Sequence, residues 1–160
     1  MKEIKVASIL EVYDTVHELP EDVNKLMQMA HEARKRAYAP YSSFFVGAAL
    51  LLENKEIITG SNQENASYPS GLCAERTAIY YAGAKFPKTR ILKMAISAGS
   101  KNKVSQKPIP PCGACRQAIA EYEIKQKFPI EIYFMGETGK VAKSASLENL
   151  LPFLFDNSVL

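Results

Sequence analysis

Nine consecutive apolar residues, Phe44 to Leu52, form the longest such run in the chain and constrain its fold more than any other feature. A strand with one wet face alternates apolar and polar residues, so a continuous run, Phe45–Leu52, reads as a strand buried on both faces. Such a strand needs helices on either side of its sheet. Nine residues are far short of the about 20 that a membrane-spanning helix requires, so no span is expected. The flanking pattern supplies the helices. Pro20-Glu21-Asp22 places acids where a helix starts, and Val23, Leu26, Met27, Ala30, Ala33 and Ala37 form one helical stripe ending before Pro40. Arg34 lies inside that stripe and is expected to reach a helix end or a subunit contact.

Further along, Glu53-Asn54-Lys55 turns the buried strand into a second, about 56–61. Helices are predicted from Cys73 to about Ala82 and from Cys112 to about Lys125, with Pro111 suited to a first helical turn. Ile91–Ala98 and Ile130–Met135 read as strands, and 140–143 as a short one. Ser146 is a candidate cap for a last helix, Leu147–Leu151, stopped at Pro152. Residues 1–13 alternate weakly and favour a strand. The expectation is an α/β fold, a three-layer α-β-α sandwich around a mixed sheet of about five strands. The 160 residues are read as a single domain, 1–160, able to bury roughly 70% of its unfolded surface. No repeat or low-complexity linker divides it.

Chemistry concentrates in two short segments, Cys73-Ala74-Glu75 and Pro111-Cys112-Gly113-Ala114-Cys115, which together hold all three cysteines. An odd count with C-x-x-C spacing points to metal or catalysis in a reducing cytoplasm rather than to disulfides. Glu3, Glu11 and Asp14 interrupt the N-terminus, which does not read as a secretory signal. Each cysteine cluster opens a predicted helix, where exposed N–H groups and the positive end of the dipole favour thiolate, the form that binds zinc. Three protein ligands leave a fourth position for water, as in catalytic zinc sites. Glu75 is placed to move a proton between water and a substrate nitrogen. Arg76 stands three residues after Cys73 and can draw charge from the sulfurs. Buried thiols with a surface Glu75–Arg76 pair, a redox motif and a purely structural zinc are the alternatives. His17 and His31 stand apart from both segments.

Four segments closely resemble the small homo-tetrameric cytidine deaminases: 38–49 (Tyr-Ala-Pro-Tyr-Ser-Ser-Phe-Phe-Val-Gly-Ala-Ala), 60–68 (Gly-Ser-Asn-Gln-Glu-Asn-Ala-Ser-Tyr), 73–78 (Cys-Ala-Glu-Arg-Thr-Ala) and 111–117 (Pro-Cys-Gly-Ala-Cys-Arg-Gln). The resemblance covers most of residues 22–156, leaving 1–20 as an N-terminal extension and 99–110 as a lengthened polar loop. It implies one Zn²⁺ per chain on Cys73, Cys112 and Cys115, with Glu75 as proton shuttle. Phe44 matches an aromatic that packs on the base. Asn62 and Glu64 match positions that hold the ribose hydroxyls. Ala66 and Tyr68 match positions that reach the sugar's far end, often in a neighbouring subunit's site, and Phe155 matches a C-terminal aromatic that stacks on the base in a neighbour's pocket.

The implied reaction is hydrolysis of cytidine and 2′-deoxycytidine to uridine and 2′-deoxyuridine, with release of ammonia, in pyrimidine salvage. Water activated by zinc attacks C4 while Glu75 carries protons. The expected partners are a small nucleoside and further copies of the chain, a homotetramer, with no membrane or polynucleotide. A net charge of +3 and the absence of Trp fit poorly with a polynucleotide deaminase, which needs a basic track and stacking aromatics. A deaminase for another nucleoside and a zinc-stabilised binding module are the remaining rivals.

Overall fold

In the computed structural model, which describes residues 1–157, the elements run β1 (Glu11–Tyr13), α1 (Glu21–Arg34), β2 (Phe44–Leu52), β3 (Ile57–Ser61), α2 (Ala74–Lys85), β4 (Ile91–Ser100), α3 (Gly113–Gln126), β5 (Glu131–Met135) and β6 (Val141–Ser144). Residues 158–160 of the expected 1–160 domain lie outside the described residues. The strands form one mixed sheet in the order β1-β6-β5-β4-β2-β3. β2 runs antiparallel to β3 and β4. β4 and β5 are parallel, and α3 makes the crossover that a parallel pair requires.

Strand β2 shows why the apolar run is continuous. Ala48, Leu50 and Leu52 pack with Ala78, Ile79 and Ala82 of α2 and with Ile119 of α3. Ala49 packs on the opposite face with Val23, Leu26, Met27 and Ala30 of α1, and Leu51 lies against the same cluster. The three-layer α-β-α arrangement is therefore present, with α1 on one face and α2 and α3 on the other. α2 sits close enough on β3 that Gly60 faces the backbone of Ala74 and Ala78 directly. No helix among the described residues is long and apolar enough to cross a membrane.

Three expectations are corrected. The sheet has six strands rather than about five, because β1 pairs along β6. That pairing extends only from Glu11 to Tyr13, since β6 itself is four residues long. The alternating residues upstream leave the sheet, and Ile4 and Ile9 are exposed. The last helix is only a 3-10 turn, Leu147–Asn149, and Ser146 makes no side-chain cap. The Glu123 carboxylate accepts the first N–H of the turn, that of Leu147, at 3.1 and 3.0 Å. Arg34 is buried and its guanidinium pairs with Glu137 at 3.1 Å, tying the end of α1 to the loop after β5.

Candidate active site

The two cysteine segments meet where α2 and α3 begin. Cys73 is the residue before α2 and Cys112 the residue before α3, both in extended backbone and neither spending its sulfur on a capping hydrogen bond. Their carbonyls already close the first helical turns, accepting from Thr77 N–H and Arg116 N–H at 2.9 Å each. Cys115 lies in the first turn of α3 and is fully buried. Two helix N-termini thus present their positive ends to three sulfurs.

The spacing of those sulfurs fits zinc. Thiolates bound tetrahedrally at about 2.3 Å stand about 3.8 Å apart. Cys73 Sγ and Cys112 Sγ are 3.9 Å apart, and all three sulfur atoms lie within 4.8 Å of one another. The cysteines are free, and a separation of 3.9 Å is far from a disulfide's about 2.05 Å. Without a cation Cys73 and Cys115 do not both ionise. The Cys115 thiol donates to Cys73 and brings its pKa down to about 5, with the Arg76 guanidinium adding to the effect. The same bond, burial and the nearby Glu75 charge push the Cys115 thiol up. A divalent cation among them removes that conflict. Arg76 Nη2 is 3.5 Å from Cys73 Sγ, and its hydrogen bond to that thiolate raises the guanidinium's pKa. Arg76 Nε is buried and, among the described residues, has no hydrogen-bond partner. Charge, rather than a complete hydrogen-bond set, holds this group beside the sulfurs.

Glu75 is the buried carboxyl of the site, with 4% of its surface exposed. Burial pushes its pKa up, its own backbone N–H opposes this, and the Cys73 charge reinforces the rise. It lines a chamber of about 340 Å³ together with Cys73, Cys112, Phe44, Asn62 and Glu64. A buried carboxyl whose pKa is raised, beside a cluster of three sulfurs, is suited to accept a proton and return it. Besides Ser42, the other walls are apolar: Val46, Ile96, Ala98, Ile109 and Pro110. The sequence reading did not single these out. Their signal is the two-residue spacing of Ile96 and Ala98 on a strand, which places both on the face toward α2 and α3.

Asn62 and Glu64 follow β3 and border both this chamber and an outer one of about 510 Å³. The Asn62 amide is largely engaged: Oδ1 accepts from Val46 N–H at 2.7 Å and Nδ2 donates to the Phe44 carbonyl at 2.9 Å. One Nδ2 hydrogen and one Oδ1 lone pair remain for a ligand. Glu64 is held by the Tyr41–Ser42 turn, and hydrogen bonding from Ser42, foremost, lowers its pKa. It is therefore an ionised acceptor. The outer chamber is lined by Tyr41, Gln63, Asn65, Tyr68 and Arg76, among others, with the Tyr41 and Tyr68 rings 6.2 Å apart.

The structure thus gathers Cys73, Cys112, Cys115, Glu75, Arg76, Phe44, Asn62 and Glu64 around adjoining cavities. It does not gather Ala66 or Phe155, which line neither chamber of their own chain. Phe155 is 62% exposed, its carbonyl accepting from Gln117 Nε2 at 2.8 Å.

A family model described as the cytidine and deoxycytidylate deaminase zinc-binding region matches residues 20–130. The chain is 46% identical over 100 residues to a cytidine deaminase of Halalkalibacterium halodurans, covering 62% of this chain and 71% of that protein. It is 35% identical over 143 residues to a probable cytidine deaminase of Dictyostelium discoideum, covering 88% of each. Its fold is similar to the crystal structure of cytidine deaminase from Burkholderia pseudomallei, with a TM-score of 0.71 at 37% identity, covering 86% of this chain and 100% of that one.

Proposed function

This chain belongs to the family of the cytidine and deoxycytidylate deaminase zinc-binding region and is a zinc-dependent hydrolase, and from that premise we propose that it converts cytidine and 2′-deoxycytidine to uridine and 2′-deoxyuridine with release of ammonia. The observation that carries this reading is the placement of Glu75. One small chamber is lined by a buried acid, two of the three clustered cysteines, Phe44 and further apolar side chains, and by an ionised Glu64 that also borders the outer chamber. A flat base with a sugar diol matches that set of surfaces.

Cys73, Cys112 and Cys115 hold one zinc per chain. Zinc there supplies the Lewis acidity that lets water act as a nucleophile near neutral pH. Glu75 accepts the proton that the attacking water gives up and delivers it to N3 of the base. The water oxygen adds to C4. Glu75 then takes the proton of the new C4 hydroxyl and passes it to the 4-amino group, the C4–N4 bond breaks as the C4=O bond forms, and ammonia leaves. Atoms balance as nucleoside plus water giving the oxo nucleoside plus ammonia. Arg76 offsets the charge of three thiolates around a divalent cation. Phe44 packs on the base, while Glu64 and the free positions of Asn62 hold the sugar hydroxyls.

The remaining contacts come from other copies. Ala66, Tyr68 and Phe155 complete the pocket of a neighbouring subunit in a homotetramer. Their exposure in one chain suits that role, since Tyr68 and Phe155 would otherwise leave large aromatic surfaces in water. Residues 1–160 act as a single domain with 1–20 an extension, working in the cytoplasm in pyrimidine salvage. The test follows loss of cytosine absorbance with cytidine, deoxycytidine, free cytosine and a short cytosine-bearing oligonucleotide. Both nucleosides should react, while the free base and the oligonucleotide should not. Reaction of the oligonucleotide alone would reject the nucleoside reading.

A further inference from the structure

Glu64 reaches the cavity only through a turn that anchors it. Its backbone is pinned to Tyr38, whose carbonyl accepts Glu64 N–H at 2.9 Å, and its side chain reaches back to the Tyr41–Phe44 turn. There Oε2 accepts both Tyr41 N–H at 2.9 Å and Ser42 N–H at 3.3 Å, while Oε1 accepts the Ser42 hydroxyl. A carboxylate offers about four acceptor positions, two on each oxygen. The turn fills both on Oε2 and one on Oε1, leaving a single position for a ligand. The Ser42 hydroxyl is itself oriented, because its oxygen accepts Phe44 N–H at 3.0 Å and its proton is committed to Glu64. The turn is held in a demanding conformation: Ser43 has φ 54°, its N–H donates to Ala39 O at 3.1 Å, and its carbonyl accepts Lys101 N–H at 3.2 Å. Ser42 and Glu64 border both chambers.

We propose that Ser42 is a positioning residue for sugar recognition: its hydroxyl fixes the rotation of Glu64, so that the one free acceptor position on Oε1 faces the substrate's sugar hydroxyls. This role rests on the nucleoside reading of the site. Ser42 also joins the two ends of the pocket, since the chain Phe44 N–H, Ser42 hydroxyl, Glu64 carboxylate couples the residue that packs on the base to the residue that holds the sugar. Removing the hydroxyl leaves Glu64 with two anchors on one oxygen and the other free to swing. Binding of a sugar diol then weakens, while the sulfurs and Glu75, at the starts of α2 and α3, are untouched.

The experiment compares the wild type with Ser42→Ala, Ser42→Thr, Glu64→Ala and the Ser42→Ala/Glu64→Ala pair, using KM and kcat for cytidine and inhibition constants for uridine and 2′,3′-dideoxyuridine. Loss of one hydrogen bond to a charged group predicts a rise of about tenfold in KM and in the uridine constant for Ser42→Ala. kcat should stay within about twofold, as the chemical step is not addressed. The dideoxyuridine constant should not move, Ser42→Thr should restore most of the loss, and Ser42→Ala should add nothing to Glu64→Ala. Equal weakening of uridine and dideoxyuridine would place the effect on Phe44 and the base, overturning the assignment. So would additive losses in the double variant. A wild type that releases no ammonia from cytidine would instead overturn the nucleoside reading, and this role with it.

Discussion

Replacing Gly60 with Ala should disable the enzyme without altering Cys73, Cys112, Cys115 or Glu75. A Cβ at Gly60 would stand 2.6 Å from both Ala74 O and Ala78 N and 3.1 Å from Ala78 Cα, all backbone atoms of α2. Ordinary contact begins near 3.4 Å, so the first turns of the helix must retreat from β3 by about 0.8 Å. That turn carries Glu75, and Cys73 immediately precedes it. Constellations of this kind tolerate only about 0.5 Å, and a misplacement of about 1 Å can cost about 10²-fold in rate. Overpacking adds roughly 1–3 kcal/mol of destabilisation, or about 3–10 °C in Tm for a chain of this size. Gly113→Ala is the control. It lies between Cys112 and Cys115, yet a Cβ there meets nothing within 4 Å. As the first residue of α3 it should stabilise by about 0.4–1 kcal/mol and keep turnover near wild type. The assay is kcat/KM, zinc content and Tm on both zinc-loaded variants. Wild-type rate and Tm for Gly60→Ala, or equal damage from Gly113→Ala, would refute the packing argument.

Glu75→Gln should retain zinc and fold while losing about 10²–10⁴ in turnover, the usual scale for a missing general acid–base group; near-normal rates would assign the proton to another residue. Arg76→Gln should reduce turnover more than zinc content, which metal analysis beside kinetics resolves, whereas a mere surface ion pair would change neither. Phe155→Ala should raise KM and leave zinc in place, and light scattering of active protein should give about 71 kDa, four chains of 17.7 kDa. A fully active monomer would contradict the shared pocket.

The parts of this molecule that were legible in its sequence share a physical cause. Phe44–Leu52 is apolar throughout because helices cover both faces of β2, so burial wrote the strand directly into composition. The starts of α2 and α3 coincide with Cys73 and Cys112 because the cysteines occupy the positions before the helices. The family resemblance then placed Phe44, Asn62 and Glu64 together. Failures came where a distant partner decided the outcome. The alternation in residues 1–13 promised a longer strand, but only three residues find a partner on β6. Leu147–Leu151 carried a helix signal, yet only a 3-10 turn forms, and its first N–H goes to Glu123, 24 residues earlier in the chain. Ser42 left no local mark either, since its hydroxyl acts on a carboxylate 22 positions away. Arg34, anomalous in an apolar stripe, was explained only by Glu137, which lies 103 positions on.

Zinc titration of metal-free protein, with ammonia release from cytidine followed at each addition, tests the central claim most directly. Three sulfurs within 4.8 Å of one another in every chain predict a linear rise in rate that levels off at one zinc per chain. Each ammonia released should be matched by one uridine. Turnover without zinc, or a zinc-saturated protein that leaves cytidine unchanged, would contradict the account.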